Sequence, residues 1–290
     1  MSPSDFTVRV PGKWVLAGEH SVLRGVSAVA LPHPDFSLSL SFRPVDSVES
    51  GELEIFPRTA VSVIREILIE AREQAARLSH DFVSPSGILQ VESSIPAGAG
   101  LGSSAALCSA ITRWLASRIP LERSQWTSFA RGLEDRFHGK SSGMDVAVVL
   151  ESTPIRFSMS GGAEVLKISK LPRFTFHDTG RRARTRDCVR KVTDLGLRDP
   201  ATGAGIDARM ASACDGAASG LKAYDSGSSV EGLKLMGLAM EEAQRCFEAW
   251  DLVVPEARTF ESRLLQEGAL AVKVTGAGDG GFVVALWPDP

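Results

Sequence analysis

The chain has 290 residues, of which 43% are hydrophobic and 23% charged, so it has the composition of an ordinary globular protein with a large core. Its net charge of −3 gives no overall attraction to nucleic acid or to an anionic membrane. The four cysteines form no C-x-x-C pair, no signal-sequence pattern opens the chain and no apolar run reaches membrane-spanning length. These features predict a cytoplasmic chain without a zinc site or a disulfide framework.

Short strand patterns and longer helical patterns follow one another along the chain. Alternating apolar residues predict strands at 6–10, 13–17, 36–42, 52–56, 88–92, 163–168, 174–177, 270–274 and 282–286. Spacings of three and four predict helices at 61–78, after 103, at 122–137 and at 233–250. Residues 196–220, rich in Gly, Ala and Asp, are expected to be a loop with a short helix. Because the strands are grouped, the pattern favours α+β over a doubly wound sheet.

The run P-A-G-A-G-L-G-S-S-A-A at 96–106 places three glycines before a predicted helix. Glycine loses more backbone freedom on folding than any other residue, so the run indicates tight turns or a close approach to the backbone. A helix N-terminus attracts phosphate through unpaired N–H groups and its dipole, and Ser103 and Ser104 add hydroxyls for phosphate or magnesium. The alternative is that Ser103 merely caps the helix. No Walker A motif occurs in the chain.

Two carboxylates, Glu134 and Asp145, flank the run D-R-F-H-G-K-S-S-G-M. Glu134 shares the edge of an apolar helix face with Ala130, where a carboxylate is costly to bury unless it is paired or binds a metal ion. Asp145 precedes the apolar run V-A-V-V-L, a position that suits either a catalytic carboxylate or a helix N-cap.

Two further segments carry glycines beside polar residues. The segment P-G-K-W-V-L-A-G-E-H-S-V-L-R-G at 11–25 groups Lys13, Glu19 and His20, which suits a small polar substrate, with a solvated hairpin as the alternative. The segment T-G-A-G-D-G-G at 275–281 formally spells G-x-G-x-x-G, but the nine residues after it form a strand pattern, which excludes a Rossmann fingerprint. It is either a plain turn between paired strands or a loop that approaches a ligand.

In this order the three glycine-containing segments resemble the motifs of the GHMP kinases, small-molecule kinases that bind ATP on a non-Walker glycine loop. The resemblance spans the chain and implies a two-domain α+β GHMP kinase fold with the active site in the inter-domain cleft. It implies an N-terminal ATP-binding domain at 1–170 and a C-terminal ferredoxin-like α+β domain at 171–290.

The segment G-E-H-S-V-L-R-G is most similar to that of the family members that phosphorylate the primary hydroxyl of mevalonate, which yields 5-phosphomevalonate for isoprenoid synthesis. Two alternatives stay open. One is a sibling kinase acting on phosphomevalonate or a sugar, and the other is a catalytically silent member that senses its ligand.

The resemblance also assigns roles. Asp145 accepts the proton of the substrate hydroxyl, and Lys13 favours its ionised carboxylate and stabilises developing charge. Ser104 and Glu134 hold the magnesium ion. The ATP-binding residues are Pro96, Gly98, Gly100, Leu101, Gly102, Ser103, Ser104 and Ala105. The substrate-binding residues are Lys13, Glu19, His20, Asp145, Thr185, Gly276 and Ala277.

Asp279 is among the residues that depart from the family pattern. Asp279 replaces a glycine in the last loop and brings a negative charge to where nucleotide phosphates are expected. An arginine within 181–186 is a candidate clamp for the substrate carboxylate. The expected ligands are ATP, Mg²⁺ and a small-molecule substrate, while the oligomeric state, a homodimer included, stays open.

Overall fold

The computed structural model describes residues 5–45, 52–79, 85–139 and 141–289. Within these ranges the chain forms eight α-helices and nine strands, as an α+β fold requires. None of the helices in these ranges is both long and apolar enough to cross a bilayer. The chain folds into two compact units, each assembled from separate segments.

The first unit takes in the chain up to Gly12, His33–Pro96 and Gly102–Ser152. Strands β1 (Phe6–Ala17) and β2 (Ala28–Pro44) each contribute part of their length to it. The other elements of this unit are β3 (Leu53–Phe56), α1 (Val61–Leu78), β4 (Gly87–Ser93), α2 (Ser103–Ala116), α3 (Trp126–His138) and α4 (Met144–Glu151). Strand β4 pairs antiparallel with β2 and parallel with β3, and the alternating side chains of β2 are buried as predicted.

The second unit takes in Lys13–Pro32, Ala97–Leu101 and the chain from Thr153 onward. The elements of this unit beyond residue 153 are β5 (Ile155–Ser158), β6 (Gly162–Val165), β7 (Phe174–Asp178), α5 (Thr185–Arg198), α6 (Pro200–Asp225), α7 (Ser229–Ala249), α8 (Pro255–Gln266), β8 (Ala271–Thr275) and β9 (Phe282–Leu286). Strand β5 pairs with the first residues of β2 and with β6, and β9 lies between β7 and β8 in an antiparallel sheet.

The prediction for residues 196–220 is wrong, because this region forms most of a 26-residue helix, α6. The helix begins with Pro200 at its first position, after Asp199, whose side chain accepts a hydrogen bond from the Thr202 N–H. Some of its small residues serve packing. A Cβ on Gly220 would lie 2.9 Å from the carbonyl oxygen of Gly232 in α7, so glycine allows the two helices to approach closely. Tertiary packing thus outweighs low helix propensity.

The other predicted elements are present, most with shifts of a few residues at their ends. The strand expected at 36–42 is much longer, Ala28–Pro44, and the strands expected at 6–10 and 13–17 are one continuous strand. The compact units are discontinuous in sequence, whereas the predicted domains at 1–170 and 171–290 are contiguous. That division stays a prediction.

Candidate functional site

The glycine loop before α2 needs its glycines for their backbone conformation. Gly98, Gly100 and Gly102 have φ of 67°, 78° and 78°, in the left-handed region that other residues rarely adopt. Helix α2 begins at Ser103, and Gly102 occupies the N-cap without a side-chain hydrogen bond. The alternative that Ser103 caps the helix is therefore wrong. The first-turn N–H groups keep the capacity to bind an anion.

Glu134 lies on α3 beside the first two turns of α2. It is only 2% exposed, and its Oε2 accepts a hydrogen bond of 2.8 Å from the Ser141 hydroxyl. Burial and the nearby Glu134 charge raise the pKa of the Cys108 thiol, which places the carboxylate close to that residue. Because residues four apart share a helix face, Ser104 lies one turn from Cys108 on the same side of α2. Ser104 and Glu134 therefore lie on the same side of the first two turns of α2, near Cys108.

Asp145 is the second residue of α4, and Gly143, with φ 87°, occupies the N-cap. The alternative that Asp145 caps this helix is therefore wrong. Its place in the first turn of α4 is at the positive end of the helix dipole, where negative charge is stabilised. Ser141 links the two carboxylate segments, since its hydroxyl donates to Glu134 and accepts from the Gly143 N–H at 3.0 Å.

Lys13 lies in the part of β1 that belongs to the second unit, where its side chain is buried. Its backbone N–H donates to the Leu101 carbonyl at 2.9 Å, which fastens β1 to the glycine loop. Two residues later, the Val15 N–H and carbonyl both bond to the Thr275 hydroxyl at 3.0 Å. Hydrogen bonds to Leu101 of the first glycine loop and to Thr275, just before the last one, thus hold the strand that carries Lys13.

Glu19 is buried beside Lys273 of β8. Its Oε1 accepts a hydrogen bond of 2.6 Å from the Lys273 ammonium, and the two side chains form an ion pair out of reach of solvent. Burial raises the pKa of Glu19, while Lys273 and Lys13 oppose that rise. Breaking such a pair by removing one partner typically costs about 3–5 kcal/mol, because a charge is left buried and uncompensated.

His20 follows Glu19 with φ 57°, and its ring is enclosed by protein groups. Nε2 lies 2.9 Å from the Ala277 carbonyl oxygen, and the ring makes edge contacts with Phe247 and Trp250 of the segment that ends α7. Burial lowers the pKa of His20 to about 4. His20 is therefore neutral at physiological pH and serves as a polar group rather than as a cation.

The last glycine-containing loop joins β8 to β9 and lies directly against the first glycine loop. A Cβ on Gly276 would come within 3.1 Å of the Gly100 Cα, and one on Gly281 within 2.9 Å of the Ala99 carbonyl oxygen. These contacts require glycine. The structure thus brings together, in the second unit, residues 13–25, 97–101 and 275–281 of the three glycine-containing segments. Ala277 lies in this loop as the acceptor for His20.

Asp279 does not leave its charge unpaired in the last loop. Its carboxylate lies 3.1 Å from the Lys191 ammonium of α5, and its N–H donates to the Leu252 carbonyl. Asp279 has φ 56°, a conformation that Asp and Asn tolerate better than most residues.

The arginine-rich segment reaches α5, where Thr185 is the exposed first residue. Arg181 pairs with Glu256 at 3.5 Å, and Arg182 makes two hydrogen bonds of 2.7 Å to Asp178. These two arginines are therefore engaged by carboxylates. The role of Thr185 stays a prediction.

Sequence reasoning missed Lys273, Ser141 and the aromatic pair around His20. A lysine inside the apolar strand A-V-K-V-T was the available signal for the first, because a charge there needs a buried partner. Phe247 and Trp250 were recognised only as part of a helical pattern.

Comparison with known proteins identifies the family. The N terminal domain of GHMP kinases matches residues 61–152, and the GHMP kinases C terminal domain matches residues 228–290. A mevalonate kinase from Aeropyrum pernix is 30% identical over 309 aligned positions, which cover 96% of this chain and 87% of the relative. The chain belongs to the GHMP kinase family.

Solved structures share the fold of this GHMP kinase. An L. major mevalonate kinase in complex with R-mevalonate superposes with a TM-score of 0.76 at 20% identity, covering 99% of this chain and 89% of that one. A Lactococcus lactis galactokinase complexed with galactose has the same TM-score at 13% identity, covering 99% and 86%. The fold is therefore common to kinases with different acceptors and does not itself select one.

Proposed function

We propose that this GHMP kinase transfers the terminal phosphoryl group of ATP to the primary hydroxyl of mevalonate, giving 5-phosphomevalonate for isoprenoid synthesis. The observation that carries the proposal is the match to the Aeropyrum pernix mevalonate kinase over nearly the whole of both chains. Because it covers 96% of this chain, the match extends over both family domains.

Asp145 is the proposed base for the substrate hydroxyl, and Lys13 the proposed cation that stabilises the charge developing during transfer. Asp145 lies in the first turn of α4, where the helix dipole stabilises negative charge. Phosphoryl transfer needs mainly positioning and charge neutralisation, so these two residues supply the chemistry that the chain itself must provide.

ATP and Mg²⁺ are the proposed ligands of the glycine loop and of the Ser104–Glu134 region. No group of three His, Cys, Asp or Glu side chains suited to a metal ion occurs in the part of the chain that the structure describes. Mg²⁺ bound with a nucleotide does not need one, because one or two protein oxygens complement phosphate and water ligands. Ser104 and Glu134 fit that donor set, and the bound ion would neutralise phosphate charge.

The acceptor site is proposed to include Glu19, His20, Thr185, Gly276 and Ala277 beside Lys13. Because His20 is neutral, Lys13 or an arginine must meet the mevalonate carboxylate. Arg184 and Arg186 are the candidates, since Arg181 and Arg182 already pair with carboxylates.

The test is an ADP-release assay with mevalonate, phosphomevalonate, galactose and homoserine. We expect kcat/KM for mevalonate to exceed that for phosphomevalonate at least about tenfold, or roughly 1.4 kcal/mol. Phosphomevalonate needs further cations, and Arg24 of the first segment is already bound to Asp207 through its Nε at 2.6 Å. Preference for phosphomevalonate or galactose would contradict the substrate assignment and leave the kinase assignment standing.

A sugar acceptor is the second candidate, because a galactokinase shares the fold and the fold does not itself select an acceptor. Binding of mevalonate without ADP release would instead indicate a silent ligand sensor. Three further points remain proposals: the domain division at residue 170, a cytoplasmic location and a homodimer. Light scattering during size-exclusion chromatography measures the oligomeric state.

A further inference from the structure

Lys273 is a fully buried cation in the middle of β8, between Val272 and Val274. Its ammonium donates to Glu19 Oε1 at 2.6 Å and to the Val15 carbonyl at 3.2 Å. It also lies 5.4 Å from the centroid of the Phe247 ring, which contacts His20. The Lys273 ammonium therefore holds both ends of the segment from Val15 to Glu19. It also lies near Phe247, one of the rings around His20.

One oxygen of the Glu19 carboxylate has no hydrogen-bond donor among the described residues. Oε2 is buried and has no hydrogen-bond partner in the part of the chain that the structure describes, although Glu19 is only 4% exposed. Buried polar atoms are nearly always hydrogen-bonded, so an unpaired carboxylate oxygen indicates a donor that the folded chain does not supply. A hydroxyl of a small polar ligand is such a donor.

We infer that Lys273 is a positioning residue of the acceptor site, which orients the Glu19 carboxylate so that Oε2 accepts a hydrogen bond from a substrate hydroxyl other than the one phosphorylated. Lys273 acts through Glu19 and does not touch the substrate. The inference rests on the proposed kinase function and extends it to the choice of acceptor. For mevalonate, the hydroxyl concerned is the tertiary one.

The electrostatics of the pair agree with this role. Burial raises the pKa of Glu19, and the attraction of Lys273 is the largest effect that opposes it. Without Lys273, the carboxyl group shifts toward its protonated form, and its orientation is no longer fixed. A site built to bind a hydroxyl rejects an analogue that lacks it, because its own polar group stays unpaired.

The experiment compares mevalonate with its analogue lacking the tertiary hydroxyl in the wild-type enzyme and in Lys273→Met. We expect the wild type to prefer mevalonate at least about tenfold in kcat/KM. In the variant we expect KM for mevalonate to rise about tenfold or more, kcat to fall less, and the preference to shrink below about threefold. Lys234→Met, an exposed lysine of α7, is the matched control and should behave as the wild type.

A second variant separates positioning from folding. Lys273→Met alone leaves a buried carboxylate without its cation and is expected to lower the melting temperature, whereas Lys273→Met with Glu19→Gln removes both charges and should recover much of it. We expect this double variant to regain stability without regaining the preference for mevalonate. A folded double variant with the wild-type preference would overturn the inference and show that the pair only stabilises the fold.

The acceptor assay keeps the two proposals separable. If the assay selects an acceptor other than mevalonate, the same comparison is made with that acceptor and its deoxy analogue, so the substrate assignment fails while Lys273 is still tested. If the wild type phosphorylates no acceptor, both proposals are overturned.

Discussion

Nε2 of His20 lies 2.9 Å from the carbonyl oxygen of Ala277, across 257 positions of the sequence. The hydrogen bond joins the first glycine-containing segment of the chain to the last one. The ring lies 5.4 Å from Trp250 and 5.9 Å from Phe247 between centroids, so it is held on several sides by groups that exclude water. This enclosure keeps His20 uncharged.

The enclosure predicts how stability depends on pH. In the unfolded chain His20 takes up a proton near pH 6.5, whereas in the folded protein its pKa is about 4. Between these values the unfolded state binds more protons, so the free energy of unfolding falls as the pH falls from 6.5 toward 4. From pH 7.5 to pH 5, this loss should be about 2 kcal/mol.

Urea unfolding of the wild type and of His20→Gln at pH 7.5 and pH 5.0 measures this contribution. The wild type should lose about 2 kcal/mol more than the variant between the two pH values. His33, whose pKa burial also lowers to about 4, is unchanged in both proteins and cancels from the comparison. Equal losses would show that His20 is not held in its neutral form.

Asp145→Asn should abolish most turnover while the fold and ATP binding persist. Asn has the same shape, and Gly143 rather than residue 145 occupies the helix N-cap, so the change removes little besides the basic carboxylate. We expect kcat to fall by roughly 10²–10⁴-fold. Asp135→Asn is the matched control, because its side chain still accepts the Ser141 N–H and kcat should stay near normal. A normal kcat for Asp145→Asn would remove this residue from catalysis.

Ser104→Ala and Glu134→Gln should each raise the magnesium concentration needed for half-maximal activity. Each change removes an oxygen ligand suited to a hard cation, and Glu134→Gln also removes a buried charge beside α2. Titrating the initial rate against free Mg²⁺ gives the midpoint. Glu73→Gln, an exposed change on α1, should leave it unaltered. Unaltered midpoints in both test variants would place the metal ion elsewhere.

The parts of the fold and site that could be predicted are those with local signals. The glycine loop, the position of Glu134 at the edge of an apolar face and the turn between β8 and β9 all follow from short-range patterns. The motif resemblance gave the family because each motif is contiguous.

The rest depends on contacts between distant residues. Lys273 meets Glu19 across 254 positions, so neither residue's environment is visible in its own segment. The local sequence of α6 is typical of a loop, and the need for glycine at 220 becomes visible only in its close packing against Gly232 of α7. The sequence alone suggests that the charge of Asp279 conflicts with phosphate binding. Its partner Lys191 lies on another element, so the ion pair is not visible in the local sequence.

The pairing of Asp279 with Lys191 leads to the last prediction, on nucleotide binding. The two charged groups lie 3.1 Å apart at the protein surface, where an ion pair contributes up to about 1 kcal/mol. Lys191→Met should leave the Asp279 carboxylate uncompensated in the loop proposed to approach the phosphates, and raise KM for ATP about two- to fivefold. Adding Asp279→Asn, which tolerates the φ of 56° at this position, should return KM to about the wild-type value.

Lys222→Met serves as the exposed control on α6, and initial rates at saturating mevalonate give KM for ATP in each protein. An unchanged KM in Lys191→Met would show that this loop does not approach the nucleotide, because a free carboxylate beside phosphate must repel it.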